Sequence, residues 1–134
     1  MTPTSRRRFI GQLSLSVPFL AVAGSGINLA AKKGMFIHHV YFWLKNPDSK
    51  EDKAKLIEGL KKLSKVKTIK SFHIGQPAAT DREVIDRSYS ISWCLFFDNA
   101  ADQDTYQSDP IHLKFVEECS SLWQKVVVYD SVDA

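Results

Sequence analysis

The stretch Met35–Lys45, reading MFIHHVYFWLK, constrains this chain more than any other. It is rich in β-branched and aromatic residues, and Asn46-Pro47-Asp48 ends the run, so it reads as a strand. Alternation puts His38, Val40, Phe42 and Leu44 on one face and Ile37, His39, Tyr41 and Trp43 on the other. Both faces are apolar or aromatic. Such a strand needs cover on both sides. One helical layer covers only one side, and a partner subunit is the economical cover for the second.

The remaining elements follow from periodicity. Residues 50–64 read as an amphipathic helix, with Ser49 as N-cap, acids in the first turn and Lys61 and Lys62 in the last. Ala54, Ile57, Leu60 and Leu63 keep helical spacing. Gly59 interrupts that helix, which predicts close packing against the sheet. Residues 67–75 read as a second strand, 78–86 as a polar loop and 88–97 as a third strand. The third strand carries Tyr89, Ile91, Trp93, Leu95 and Phe97 on one face. Helices are expected over 99–108 and 110–123, the second with a stripe of His112, Phe115, Val116, Cys119, Leu122 and Trp123. A last strand covers 125–131. The order β-α-β-β-α-β is that of a ferredoxin-like α+β unit.

The segment Asp104–Val116 carries the chemistry. Asp109-Pro110 starts a helix, with Asp as N-cap and Pro at the first helical position, where its missing N–H costs nothing. His112 falls in the first turn, where unpaired N–H groups disfavour an imidazolium. A neutral imidazole there can accept a proton, and Tyr106 can supply a phenolic O–H, which makes an acid/base pair. The structural alternative is a helix-capping histidine, bonded to a backbone N–H or to Asp109, beside a core tyrosine.

These motifs resemble the stress-responsive α/β-barrel (Dabb) family. Tyr106-x-x-Asp109-Pro110-x-His112-x-x-Phe115 resembles its helical signature. Met35–Lys45 is similar to its first strand and Val126-Val-Val-Tyr-Asp130 to its last, so the resemblance covers residues 35–132. It implies two ferredoxin-like units facing each other as a dimeric α+β barrel. It also implies a pocket like that of a plant polyketide cyclase in the family, where a Tyr/His pair moves protons without metal. On this alignment Tyr106 and His112 are the catalytic pair and His38 is a pocket residue, with Val40, Phe42, Trp93 and Phe115 contacting a small apolar or aromatic ligand. A further histidine on the cyclase's third strand is replaced here by Ile91, and Trp93 fills part of any cavity. Both departures point away from the same substrate.

The N-terminus reads Ser5-Arg-Arg-Arg-Phe-Ile-Gly11, then an apolar run to Ala23 with Ala21-Val22-Ala23 as a cleavage site. This is the pattern of a twin-arginine export signal over residues 1–31, and it predicts a periplasmic or otherwise extracytoplasmic protein. The run holds Ser14, Ser16 and Pro18 and is short for a spanning helix, so membrane contact would come only through an uncleaved leader. Setting aside the three leader arginines leaves fifteen basic against fifteen acidic residues, and no basic field remains to bind nucleic acid. Cys94 and Cys119 sit in apolar stretches, which favours two buried thiols over a bridge. His39 and His73 could approach across adjacent strands, but no third ligand is in view, and no metal or other cofactor is called for.

Three classes of function fit these residues. One is a cofactor-free lyase or cyclase using Tyr106 and His112. Another is a binding protein for a small apolar ligand, haem among the candidates. The third is a stress-related oligomeric protein.

Overall fold

The computed structural model describes residues 34–134, so the predicted leader lies outside the described residues. Four strands and three helices run in the order β1 (Phe36–Leu44), α1 (Lys50–Leu63), β2 (Ser71–Gly75), β3 (Ile91–Phe97), α2 (Ala100–Ser108), α3 (Pro110–Cys119) and β4 (Trp123–Val132). A 3-10 turn over Ser120–Leu122 links α3 to β4. The sheet is antiparallel throughout, in the order β2-β3-β1-β4, which is the ferredoxin-like arrangement.

Burial alternates along β1 as the sequence pattern requires. His38, Val40, Phe42 and Leu44 are buried under the helices, while Ile37, His39, Tyr41 and Trp43 are only half-covered on the opposite, outer face. Ile91, Trp93, Leu95 and Phe97 of β3 join the buried set, and Leu56, Leu60 and Leu63 close the core from α1. Ser49 caps α1 by accepting from the Asp52 N–H at 3.1 Å. Glu51 and Lys55 pair at 3.2 Å along its exposed side.

Several expectations need correction. Leu56, rather than Ala54 or Ile57, completes the buried stripe of α1. Gly59 is needed against α3, not the sheet: a Cβ there would lie 2.5 Å from the Cys119 Sγ. The second strand begins four residues later than expected, because residues 66–69 close a turn through the Ile69 N–H and the Val66 carbonyl. Tyr89 precedes β3 instead of sharing its face. The second long helix ends at Cys119, Trp123 opens β4, and Val116 is exposed.

His39 and His73 are not on adjacent strands. β3 runs between β1 and β2, and Cys94 pairs with both histidines across the sheet. Among the described residues, however, no three His, Cys, Asp or Glu side chains are placed to hold a metal ion. Both cysteines are free thiols: Cys94 is on the outer face and Cys119 is packed beneath α1.

Candidate functional site

A cavity of about 140 Å3 lies between the helix-side face of the sheet and helices α2 and α3. His38, Val40, Phe42, Trp93, Tyr106, His112 and Phe115 all line it, so every site residue expected from the sequence meets here. Gln107, Val116, Trp123, Val126 and Val128 complete the wall. Val116, Val126 and Val128 are also exposed, which makes the rim apolar.

Tyr106 sits in the last part of α2 and is 1% exposed. Its hydroxyl accepts a hydrogen bond from the Trp93 indole N–H at 3.2 Å. Burial pushes the phenol well above its usual range, and the Trp93 bond opposes this only in part. Tyr106 is therefore a neutral phenol at physiological pH, able to donate a proton or a hydrogen bond but not to act as a phenolate base.

His112 is placed by the helix start that the sequence announces. The Asp109 carboxylate accepts from the Ile111 N–H at 2.8 Å, Pro110 occupies the first turn, and the imidazole follows one step later. Its Nδ1 lies 3.0 Å from the Gln107 carbonyl oxygen. A carbonyl can only accept, so Nδ1 carries the hydrogen and Nε2 keeps the lone pair. Burial lowers the imidazole pKa. The Gln107 carbonyl and Asp109 pull it upward, and His38 adds to the lowering. The net direction favours a neutral ring. The Tyr106 and His112 rings stand 4.7 Å apart between centroids.

His38 has a partner that the sequence reading missed. Its Nδ1 is 2.5 Å from an Asp130 carboxylate oxygen, because the β1–β4 register sets these two residues opposite each other. The carboxylate orients the imidazole, whose ring lies 5.8 Å from that of Tyr106 in an edge-on contact. The available signal was an acid on the same face of the last strand as Val126 and Val128, two residues beyond Val128. The Gln107 contact had no such signal, since any residue at that position presents a carbonyl.

A larger cleft of about 420 Å3 lies between α1 and α3, with an apolar floor of Ile111 and Phe115 under surface lysines and glutamates. Its charged groups are all exposed, with Lys114 and Glu118 paired at 3.7 Å along α3. The smaller cavity has the chemistry: two oriented imidazoles and a neutral phenol within an apolar wall. Its volume is below the range of about 300–1,000 Å3 usual for drug-sized ligands. It suits a molecule of few heavy atoms, and a haem does not fit.

Known proteins place this geometry in a family. A Dabb family protein with a ferredoxin-like fold from Mesorhizobium loti is 27% identical, with 76% of this chain and 99% of that chain covered, at a TM-score of 0.63. A hydroxynitrile lyase from Passiflora edulis shares the fold at 20% identity, covering 75% of this chain and 94% of that one, with a TM-score of 0.62. So does a dimeric ferredoxin-like protein of unknown function from Bacteroides fragilis, at 20% identity, 75% and 98% coverage, and a TM-score of 0.58. Among curated proteins, none matches this sequence. Residues 36–133, which take in the whole sheet and all three helices, match the stress responsive A/B barrel domain, and the chain belongs to that family.

Proposed function

We propose that this protein is an exported homodimer whose cavity performs cofactor-free proton transfer on a small, mostly apolar substrate. One observation carries the catalytic reading. The His112 Nδ1–H is tied to the Gln107 carbonyl, so an unprotonated Nε2 belongs to an imidazole that shares the cavity with a neutral Tyr106. Base and acid are thus divided between the two residues by their environments. The relative with hydroxynitrile lyase activity supplies a reaction class that this division suits.

For a small β-hydroxy ketone or cyanohydrin, the steps balance without a cofactor. Nε2 takes the hydroxyl proton, and the adjacent C–C bond breaks as the oxygen becomes a carbonyl. The electron pair leaves with the carbon fragment, which takes the proton back from the imidazolium. The Tyr106 phenol donates a hydrogen bond where charge develops, and the Asp130–His38 pair keeps the second imidazole in one orientation. Dimerisation through the outer sheet face is supported by the dimeric relatives and by the half-covered Ile37, His39, Tyr41 and Trp43. The Arg6-Arg7-Arg8 leader supports export.

The test is turnover of small cyanohydrins and β-hydroxy ketones, followed by release of the carbonyl product. His112→Ala should lower the rate by about a hundredfold or more, and Tyr106→Phe by about tenfold. Rates no higher than solution background, or unaffected by His112→Ala, would sink the catalytic reading. A second reading is ligand binding without chemistry. It is favoured by Trp93, which is 1% exposed and takes up much of the space beside Tyr106. Saturable binding of a small aromatic without turnover would select it.

A further inference from the structure

The cleft of about 420 Å3 between α1 and α3 takes no part in the chemistry above. We propose that it binds a medium-chain aliphatic carboxylate, with the alkyl chain on the floor of Ile111 and Phe115 and the carboxylate among Lys61, Lys62, Lys65 and Lys114.

The shape comes from how the two helices meet. They touch at Gly59, where a Cβ would lie 2.5 Å from the Cys119 Sγ and 3.3 Å from the Phe115 ring, and this contact closes the bottom of the groove. A neighbouring cleft of about 330 Å3 shares Glu58, Gly59, Lys62 and Glu118 and carries the groove on to Lys55, Ser121 and Leu122. Lys55 to Lys62 alone spans about 10 Å of helix, room for an extended chain of several methylenes. Ile111 is 37% exposed, so an alkyl chain laid over it removes apolar surface from water.

The charges are unevenly divided along the groove. Lys61, Lys65 and Lys114 line it only at the Ile111 end, whereas Glu58, Lys62 and Glu118 also border the continuation toward Leu122. Glu118 is engaged by Lys114 at 3.7 Å, while Lys61, Lys62 and Lys65 make no ion pair with another described residue. A carboxylate at the Ile111 end therefore meets three ammonium groups without a competing partner, and a cation of the same length meets like charge. Each exposed contact is weak by itself, so affinity needs the lysine cluster and the apolar floor together.

The groove is independent of the dimer face. α1 and α3 pack on the side of the sheet that carries Val40, Phe42 and Leu44, whereas dimerisation is assigned to Ile37, His39, Tyr41 and Trp43 on the opposite side of β1. A partner on that outer face leaves the groove open.

Calorimetric titration of the full chain with decanoate below its micellar range, and with decylammonium and butyrate as controls, tests the proposal. Saturable decanoate binding about tenfold tighter than either control is expected. Lys62→Glu combined with Lys65→Glu, at two exposed positions, should weaken decanoate about tenfold and strengthen decylammonium. Ile111→Ser should weaken decanoate about threefold. Phe115 lines both this groove and the smaller cavity, so His112→Ala separates them: it should leave decanoate binding unchanged. Equal affinity for decanoate and decylammonium, no saturable decanoate binding, or indifference to the lysine pair would each overturn the assignment. So would loss of binding in His112→Ala, which moves the ligand to the cavity. Adsorption to phosphatidylglycerol vesicles without binding of free decanoate would also overturn it, by making the lysines a membrane-facing surface.

Discussion

Replacing Tyr106 by Phe isolates one hydroxyl in the middle of the site. The ring keeps its packing, 5.3 Å from Phe97 and 4.7 Å from His112 between centroids. What changes is the Trp93 indole N–H, which loses its acceptor at 3.2 Å inside a core where both residues are 1% exposed. An orphaned buried donor costs about 1–3 kcal/mol, partly offset because the phenol O–H no longer has to leave water. A net loss of about 1–2 kcal/mol is expected, or roughly 5–10 °C in Tm for a domain of about 100 residues. Urea unfolding of wild type, Tyr106→Phe, Trp93→Phe and the double variant measures it. If the indole bond is the cause, Tyr106→Phe should cost about 1 kcal/mol less once Trp93 is Phe. Equal costs in the two backgrounds would refute the reasoning. The same hydroxyl governs alkaline stability. The folded phenol pKa is raised, so the fold favours the protonated form. That stabilisation is complete below about pH 10 and is lost as pH climbs above it, because the unfolded chain ionises first. Tyr106→Phe should remove this alkaline loss, and a slowed reaction in that variant counts toward chemistry only after correction for the folded fraction.

On the acid side, the lowered pKa values of His112 and His39 work in the opposite sense. The fold favours neutral rings, so their contribution is complete above about pH 6.5 and is lost as pH falls toward the folded values, and His112→Gln should flatten that decline in a Tm-against-pH series. Phe96→Asp places a charge on the half-covered outer face and should yield a monomer or an insoluble chain by light scattering; an unchanged dimer would move the interface elsewhere. Changing Arg6 and Arg7 together to Lys should retain the precursor inside the cell, and normal export of that variant would defeat the twin-arginine reading.

Much of the framework was legible because it depends on local pattern. The two faces of β1, the apolar stripe of β3 and the caps at Ser49 and Asp109 follow from period and from residue chemistry at fixed offsets. The seven residues expected at the cavity meet there because they share the helix-side face of the sheet or the helices above it. What was not legible depends on which strands become neighbours. The pairing of His38 with Asp130, and the insertion of β3 between His39 and His73, require the order β2-β3-β1-β4, which no single segment encodes. Gly59 signalled a close approach without saying that α3, rather than the sheet, would make it. The polar stretch 78–86 read as a plain loop, and only the tertiary fold brings Asp86 and Tyr89 over Tyr41 and Trp43.

The central claim is that His112 is a neutral imidazole with its lone pair on Nε2. Nitrogen-15 NMR titration of the full chain measures both charge and tautomer at that ring. The expected result is a pKa below the ordinary value of about 6.5, with the hydrogen on Nδ1 at pH 7. A pKa above about 7 would contradict the account, because the Gln107 carbonyl and Asp109 would then outweigh burial, and so would a hydrogen on Nε2, because His112 would then present no lone pair there.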